Sequence, residues 1–99
     1  MKKQKVSVIH LIDCIYLGHL NDSFQRNGFG IVQTLDFDTY VGYFRNNKAE
    51  GLGLVIFEND LIIYANFTRD EIDGLTIIDN KETLKCGIYR DGEMVGVGF

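Results

Sequence analysis

The best candidates for chemistry are a few residues near the amino terminus. His10 and His19 would approach each other if residues 12–15 turn the chain, and Cys14 or Asp13 could then join them around a metal ion. Imidazole, thiolate and carboxylate groups all bind zinc, but this spacing matches no common zinc pattern. We therefore interpret both histidines as partly exposed strand residues and predict no metal site.

A nucleophile and a phosphate-binding loop are the other chemical possibilities. Cys86 has no histidine near it in the predicted repeat geometry, so it lacks the base that a thiol nucleophile uses. Gly28-Phe29-Gly30 and Gly96-Val97-Gly98 are glycine-rich, but phosphate loops join a strand to a helix, and here strand leads to strand. Acidic side chains are scattered over predicted turns as solvated charge: Glu58, Asp60, Asp70, Glu71 and Asp73. We predict that the chain is not an enzyme and binds no cofactor.

Composition limits the partners that the chain can take. Its 99 residues make one domain with a net charge of −4 and no block of like charge. A nucleic acid requires a clustered basic surface, so we predict no nucleic-acid partner. Anionic lipid requires a basic face as well, and only Lys2, Lys3 and Lys5 gather.

Cysteine content and apolar runs bear on the compartment. Cys14 and Cys86 would lie near opposite ends of a linear array, too far apart for a disulfide, so we interpret both as small buried apolar residues in a reducing compartment. No secretory signal and no run of membrane-spanning length is evident. The predicted location is intracellular, either cytoplasmic or cytoskeleton-associated, with an organelle left open.

Residues recur along the chain at a period of 22 to 24 positions, the first unit being one residue longer between its glycine pairs. Aromatic, small and glycine positions keep step from unit to unit, which is typical of a repeat array. The columns are Tyr16, Tyr40, Ile63 and Lys85; Gly18, Gly42, Ala65 and Gly87; Leu20, Phe44, Phe67 and Tyr89; and Gly28, Gly51, Gly74 and Gly96. The pattern predicts four hairpin units stacked side by side.

Each unit has the composition of a β-hairpin. Residues 40–45 mix β-branched and aromatic side chains, and Asn46-Asn47-Lys48 tolerates the positive φ of a tight turn. Gly51-Leu52-Gly53 then opens the return strand. Two glycines in one strand weaken it unless something bulky lies close to the backbone. We therefore expect an aromatic ring over both glycines of each return strand.

The units together predict an all-β fold, a single-layer twisted antiparallel meander of about nine strands and roughly 40 Å length at about 4.8 Å per strand. Residues 1–14 would form an opening half-unit, followed by repeats 15–38, 39–61, 62–83 and 84–99. Strands are predicted near 5–12, 15–21, 28–35, 38–45, 51–58, 61–68, 74–79, 83–90 and 95–99. A closed small barrel and a short amino-terminal helix remain open alternatives. A leucine-rich repeat is excluded because its leucine frame is absent.

These motifs resemble the MORN (membrane occupation and recognition nexus) repeat, whose unit is Tyr-x-Gly followed by Gly-x-Gly. Residues 40–42 with 51–53 match it best, and residues 16–18 with 28–30 follow. Residues 84–99 give a third match, whereas the unit at 62–83 departs most. The motif positions are Tyr16, Gly18, Gly28, Gly30, Tyr40, Gly42, Phe44, Gly51, Gly53, Phe67, Gly74, Gly87, Tyr89, Gly96 and Gly98. The resemblance implies an array of about four such hairpins, and in some family members attachment to a lipid surface.

Alternation along the strands places apolar residues on both faces of the predicted sheet. Tyr40, Gly42 and Phe44 share one face. The other carries a ladder made of Phe29, Leu52, Leu75 and Val97, together with Tyr43 and Tyr64. One layer cannot cover both faces, so we expect another molecule to do so.

We therefore predict a non-catalytic protein–protein interaction or scaffold module, a small structural subunit of a larger assembly. Its partner would be another protein or a second copy, at a sheet edge or face, with Tyr43, Tyr64 and Phe99 as anchors. Because the sequence stops at Gly98-Phe99 within a predicted strand, the carboxyl-terminal edge is the expected meeting point. The alternatives are a phospholipid-binding adaptor at a membrane surface and an accessory subunit of an enzyme complex.

Overall fold

A computed structural model describes residues 6–97, which form one antiparallel sheet of nine strands. The strands are β1 (Val6–His10), β2 (Cys14–Leu20), β3 (Arg26–Thr34), β4 (Thr39–Arg45), β5 (Lys48–Ile56), β6 (Ile62–Thr68), β7 (Glu71–Asp79), β8 (Leu84–Arg90) and β9 (Glu93–Val97). They lie side by side in chain order, with β1 and β9 at the two edges. The sheet measures 44 × 26 × 23 Å. The predicted meander is confirmed, the closed barrel is wrong, and residues 6–97 contain no helix.

Tight turns join the two strands of the later hairpins. Asn46 and Asn47 both have positive φ, 50° and 72°, and the pairs Arg69-Asp70 and Asp91-Gly92 do likewise. Two successive positive φ values are typical of a type I′ turn, whose twist matches that of the flanking strands. The first hairpin instead uses residues 21–25, a longer connection that takes up the extra residue of that unit.

Strands β3, β5 and β7 begin two or three residues earlier than predicted, because each contains a β-bulge at its first glycine and pairs on both sides of it. Gly28, Gly51 and Gly74 have φ values of 94°, 87° and 95°, and the register shifts at each of them. A Cβ built on Gly74 would meet nothing within 4 Å, and one on Gly51 only the Tyr43 Cβ at 4.0 Å. The expected ring over these glycines is therefore wrong. They are glycine because the bulge needs positive φ.

The last hairpin departs from this arrangement. Gly96 pairs with Ile88 and Val97 with Gly87, one residue out of step with the earlier units. Gly96, although within the described part of the chain, does not have the positive φ of the other three glycines. The ladder of Phe29, Leu52 and Leu75 therefore continues with Gly96, and its predicted member Val97 is wrong. Gly98 and Phe99 lie outside the described residues.

The register brings the small residues of successive strands into one row across the sheet. That row is Gly18, Gly30, Gly42, Gly53, Ala65, Thr76 and Gly87. Rings from neighbouring rows lie over it on one side, which we call the aromatic face and define by Tyr16, Tyr40, Phe44 and Phe67. The opposite side we call the open face. Its central row is Val8, Leu17, Ile31, Val41, Leu54, Tyr64, Ile77 and Cys86.

Candidate protein-interaction surface

Two tyrosines cover the small-residue row on the aromatic face. A Cβ on Gly53 would lie 2.6 Å from Tyr40 Cε1, and one on Gly30 would lie 2.6 Å from Tyr16 Cε1. The Tyr40 hydroxyl donates to the Tyr43 carbonyl at 2.9 Å, and Tyr16 donates in the same way three residues on, at 2.6 Å. Each ring thus lies flat across two strands and ends on a carbonyl beside the bulge. For this column the expected contact between ring and glycine is what the structure shows.

The rings also contact one another from unit to unit. Tyr16 meets Phe44 edge to face at 5.5 Å between centroids, Phe44 meets Tyr40 at 5.0 Å, and Tyr40 meets Phe67 at 5.3 Å. Tyr16 is fully buried and both phenylalanines are nearly so. Burial raises the pKa of Tyr40 to about 12, so its hydroxyl stays protonated and serves as a donor. The aromatic face therefore covers itself.

The third unit fills the same space without a ring. Ile63 occupies the tyrosine column, and the row beneath it carries Ala65 and Thr76 in place of glycines. Thr76 is fully buried. Larger residues in the row thus accompany a smaller residue above it, and the chain of rings ends at Phe67.

Hydrogen bonds between turns tie each unit to the one before it. Asn47 donates its backbone N–H to the Arg26 carbonyl at 2.9 Å and accepts from the Arg26 N–H through Oδ1 at 2.8 Å. Asp70 and Ala49 repeat the pair of bonds at 3.0 and 2.7 Å. In the last unit Gly92 keeps the first bond, to Ile72 at 3.1 Å. Sequence reasoning missed these ties, although Asn47 and Asp70 stand one period apart.

The open face carries large apolar side chains that the chain leaves in solvent. Leu52 is 72% exposed, Leu75 62% and Tyr43 53%. Tyr43 meets Phe29 edge to face at 5.6 Å, and both line a groove of about 570 Å³. The predicted anchors Tyr43 and Tyr64 lie together in this groove. The third predicted anchor, Phe99, lies outside the described residues.

The residues considered for chemistry do not converge. His19 pairs with Val6 and His10 with Ile15, so the two histidines lie at opposite ends of the first hairpin and the connection between β1 and β2 does not bring them together. No group of three or more metal-ligating side chains occurs within residues 6–97. Cys14 is buried, and burial raises the pKa of its thiol, whereas Cys86 is half-buried on the open face. Both thiols are free.

The chain matches no model of a known protein family, and a search of curated proteins gives no match. Over the described range, 6–97, no helix has the length and apolar character needed to cross a membrane. The function must therefore be argued from the geometry of the sheet itself.

Proposed function

We propose that the protein is a non-catalytic interaction module of the MORN-repeat type, which holds another protein against its open face. The observation that carries the proposal is the contrast between the two faces. Edge-to-face rings bury the aromatic face, whereas eleven large apolar side chains of the open face are at least 40% exposed. These are Val6, Val8, Ile15, Leu17, Phe29, Tyr43, Leu52, Tyr64, Leu75, Leu84 and Ile88.

The size of this surface favours a protein partner. The exposed side chains stand on one face along all of strands β1 to β8. On monomeric proteins, exposed apolar patches larger than a few hundred Å² mark interaction sites. One side of a standard protein interface buries about 800 Å².

The groove supplies a centre for such an interface. Tyr43 and Tyr64 stand on β4 and β6 and line the groove together with Asn66, which pairs with Leu52. Aromatic residues in a water-excluding apolar ring are the usual energetic centre of an interface. Asn66 adds a polar group that a partner must meet with a hydrogen bond, because an unpaired buried amide is costly. The groove thus favours an apolar partner with one matching polar group.

The repeat geometry supports the family assignment within this proposal. The tyrosine of each motif lies over its own glycine and that of the return strand, at Tyr16 and Tyr40. The ties from Asn47 and Asp70 recur at the same period as the motif. The ring contacts are made by residues of the Tyr-x-Gly…Gly-x-Gly pattern itself. The hydrogen bonds between turns are made by residues that stand at a constant distance from that pattern in the sequence.

The experiment compares two leucines of equal exposure. Leu52 on the open face and Leu35 in the turn after β3 are each 72% exposed, so an aspartate at either site should leave the fold intact. Tagged wild-type, Leu52→Asp and Leu35→Asp proteins are expressed at native abundance, captured, and their bound proteins identified by mass spectrometry. We expect a stoichiometric partner that Leu52→Asp loses and Leu35→Asp retains. Equal partners for both variants would refute the proposal.

A membrane partner would give a different outcome. Vesicles containing anionic phospholipid are floated with the same three proteins. If the wild-type protein floats with the vesicles, Leu52→Asp does not, and no bound protein is captured, the open face binds a lipid surface and not a protein. We expect no flotation, because within residues 6–97 the apolar rows of the open face include no cluster of basic side chains.

A further inference from the structure

Within the described residues, 6–97, strand β1 is an edge without the features that normally prevent edge pairing. It pairs with β2 over five consecutive residues with no shift in register. Its sequence, Val-Ser-Val-Ile-His, contains no acidic or basic charge of Lys, Arg, Asp or Glu and no proline. The opposite edge, β9, has a register shift and begins with Glu93. Bulges and charges protect edges from pairing, so β1 is the edge left open to another strand.

The hydrogen-bond pattern shows which backbone groups of β1 point outward. Leu11 donates its N–H to the Cys14 carbonyl at 2.8 Å, in step with the β1–β2 register. Hydrogen-bonded and non-hydrogen-bonded pairs alternate along an antiparallel ladder. Ile9 and Ser7 therefore bond to β2, whereas the N–H and C=O groups of Val6, Val8 and His10 face away from it.

We propose that β1 pairs antiparallel with β1 of a second copy, around a two-fold axis that passes midway between the Val8 residues of the two copies. This register places Val8 opposite the partner's Val8, and Val6 opposite the partner's His10. Each of the three outward-facing residues then forms a two-bond pair, giving about six intermolecular hydrogen bonds. Within Val6–His10, a register centred on Ser7 or Ile9 pairs only two outward-facing residues of each copy and gives about four hydrogen bonds.

The side chains suit this pairing as well. A two-fold axis normal to the sheet keeps both open faces on the same side, so the row that ends at Val8 continues into the partner's row. Ser7 lies opposite the partner's Ile9 on the other face, and no charged pair is brought together. The product is a continuous sheet of twice nine strands. The inference does not depend on the proposed function of the open face.

The test is a disulfide trap with a matched control. Val8 and Val6 are 62% and 63% exposed, so Val8→Cys and Val6→Cys present equally accessible thiols. Both are made in a background in which Cys14 and Cys86 are serine, and the proteins are oxidised under mild conditions. In the proposed register the Val8 Cα atoms are about 5.5 Å apart, within disulfide range, whereas the Val6 Cα atoms are separated by about four residues, or roughly 13 Å.

We expect Val8→Cys to form a covalent dimer of twice the 11.3 kDa chain mass and Val6→Cys to stay monomeric. Mixing Val6→Cys with His10→Cys should restore the cross-link, because those two positions face each other. Absence of a cross-link at Val8, or equal cross-linking at both valines, would overturn the proposal. A second variant, Val8→Pro, removes an outward donor only, and should abolish dimers of the wild-type chain without lowering the unfolding midpoint appreciably.

Discussion

The contact between Tyr40 and Gly53 makes a quantitative prediction. The Cβ of Gly53→Ala would lie 2.6 Å from Tyr40 Cε1, about 1 Å inside a normal carbon–carbon contact. Overpacking of this kind costs about 1–3 kcal/mol. Moving the ring also weakens its edge contacts with Phe44 and Phe67, worth roughly 0.5–1.5 kcal/mol each. Alanine's smaller entropy in the unfolded chain returns about 0.4–1 kcal/mol. We expect a net loss of about 2–3 kcal/mol.

A second substitution should remove most of that cost. Tyr40→Ile reproduces the third unit, where Ile63 lies above Ala65 and Thr76. By itself it removes the ring and costs about 2–3 kcal/mol, in the range of large-to-small core changes. With the ring gone, the Cβ of Gly53→Ala loses its three nearest neighbours, all of which are Tyr40 atoms. The double variant should therefore be more stable than additivity predicts by about 2 kcal/mol.

The measurement is urea unfolding of the four proteins of this cycle, followed by far-ultraviolet circular dichroism. The control is Gly42→Ala, whose Cβ would also meet the Gly53 Cα and the Leu52 carbonyl oxygen at 2.8 Å. Backbone atoms cannot rotate away, so Tyr40→Ile should rescue this variant much less. Strictly additive free energies for the Gly53 cycle, or an unchanged stability of Gly53→Ala alone, would refute the ring-over-glycine account.

Three further predictions follow from the bulges, the ties and the buried hydroxyl. Gly74→Ala should cost about 1 kcal/mol in denaturant unfolding through its φ of 95° alone, and a loss above about 3 kcal/mol would indicate a steric contact instead. Asp70→Ala should lower the free energy of unfolding by about 1–3 kcal/mol, because the Ala49 N–H loses its acceptor. Asp70→Asn should be nearly neutral, because Asn47 accepts the equivalent bond one unit earlier. Equal losses of stability in the two variants would contradict this. Because the pKa of Tyr40 is raised to about 12, the folded protein holds this proton more tightly, so stability is full below pH 10 and falls as pH rises towards 12. Tyr40→Phe should flatten that alkaline slope in thermal melts, and an unchanged slope would count against burial as the cause.

The strand order was predictable from the sequence because its signals are local. Glycine columns at a period of 23, alternating side chains and the Asn46-Asn47 pair each act within one hairpin, and together they predict a meander. The tyrosine and phenylalanine columns also predicted the rings over Gly42 and Gly53. No long-range contact had to be guessed, since each strand pairs with its sequence neighbour.

The function of the first glycine in each return strand was not predictable from alternation. In a period-2 pattern Gly51 and Gly53 are predicted to have the same environment on the same face. In the structure Gly51 has the positive φ of a bulge, whereas Gly53 lies under the Tyr40 ring. The sequence predicted a connection at residues 69–73, but not the tight Arg69-Asp70 turn within it, because that pair contains neither glycine nor asparagine. The sequence likewise predicts apolar residues on both faces of the sheet and does not distinguish the buried face from the exposed one. They differ because Tyr40 spans two strands and reaches the Tyr43 carbonyl, which alternation alone does not reveal.

The backward direction of the ties has a consequence for how such a chain can change length. The bonds from Asn47, Asp70 and Gly92 each reach the unit immediately before and no further. A copied hairpin inserted between two units would donate its turn N–H to a carbonyl of the unit before it. It would also provide the equivalent carbonyl for the turn of the unit after it. Duplication of a hairpin can therefore lengthen the sheet by two strands at a time without changing the contacts between the other units. The number of strands is thus free to vary in evolution.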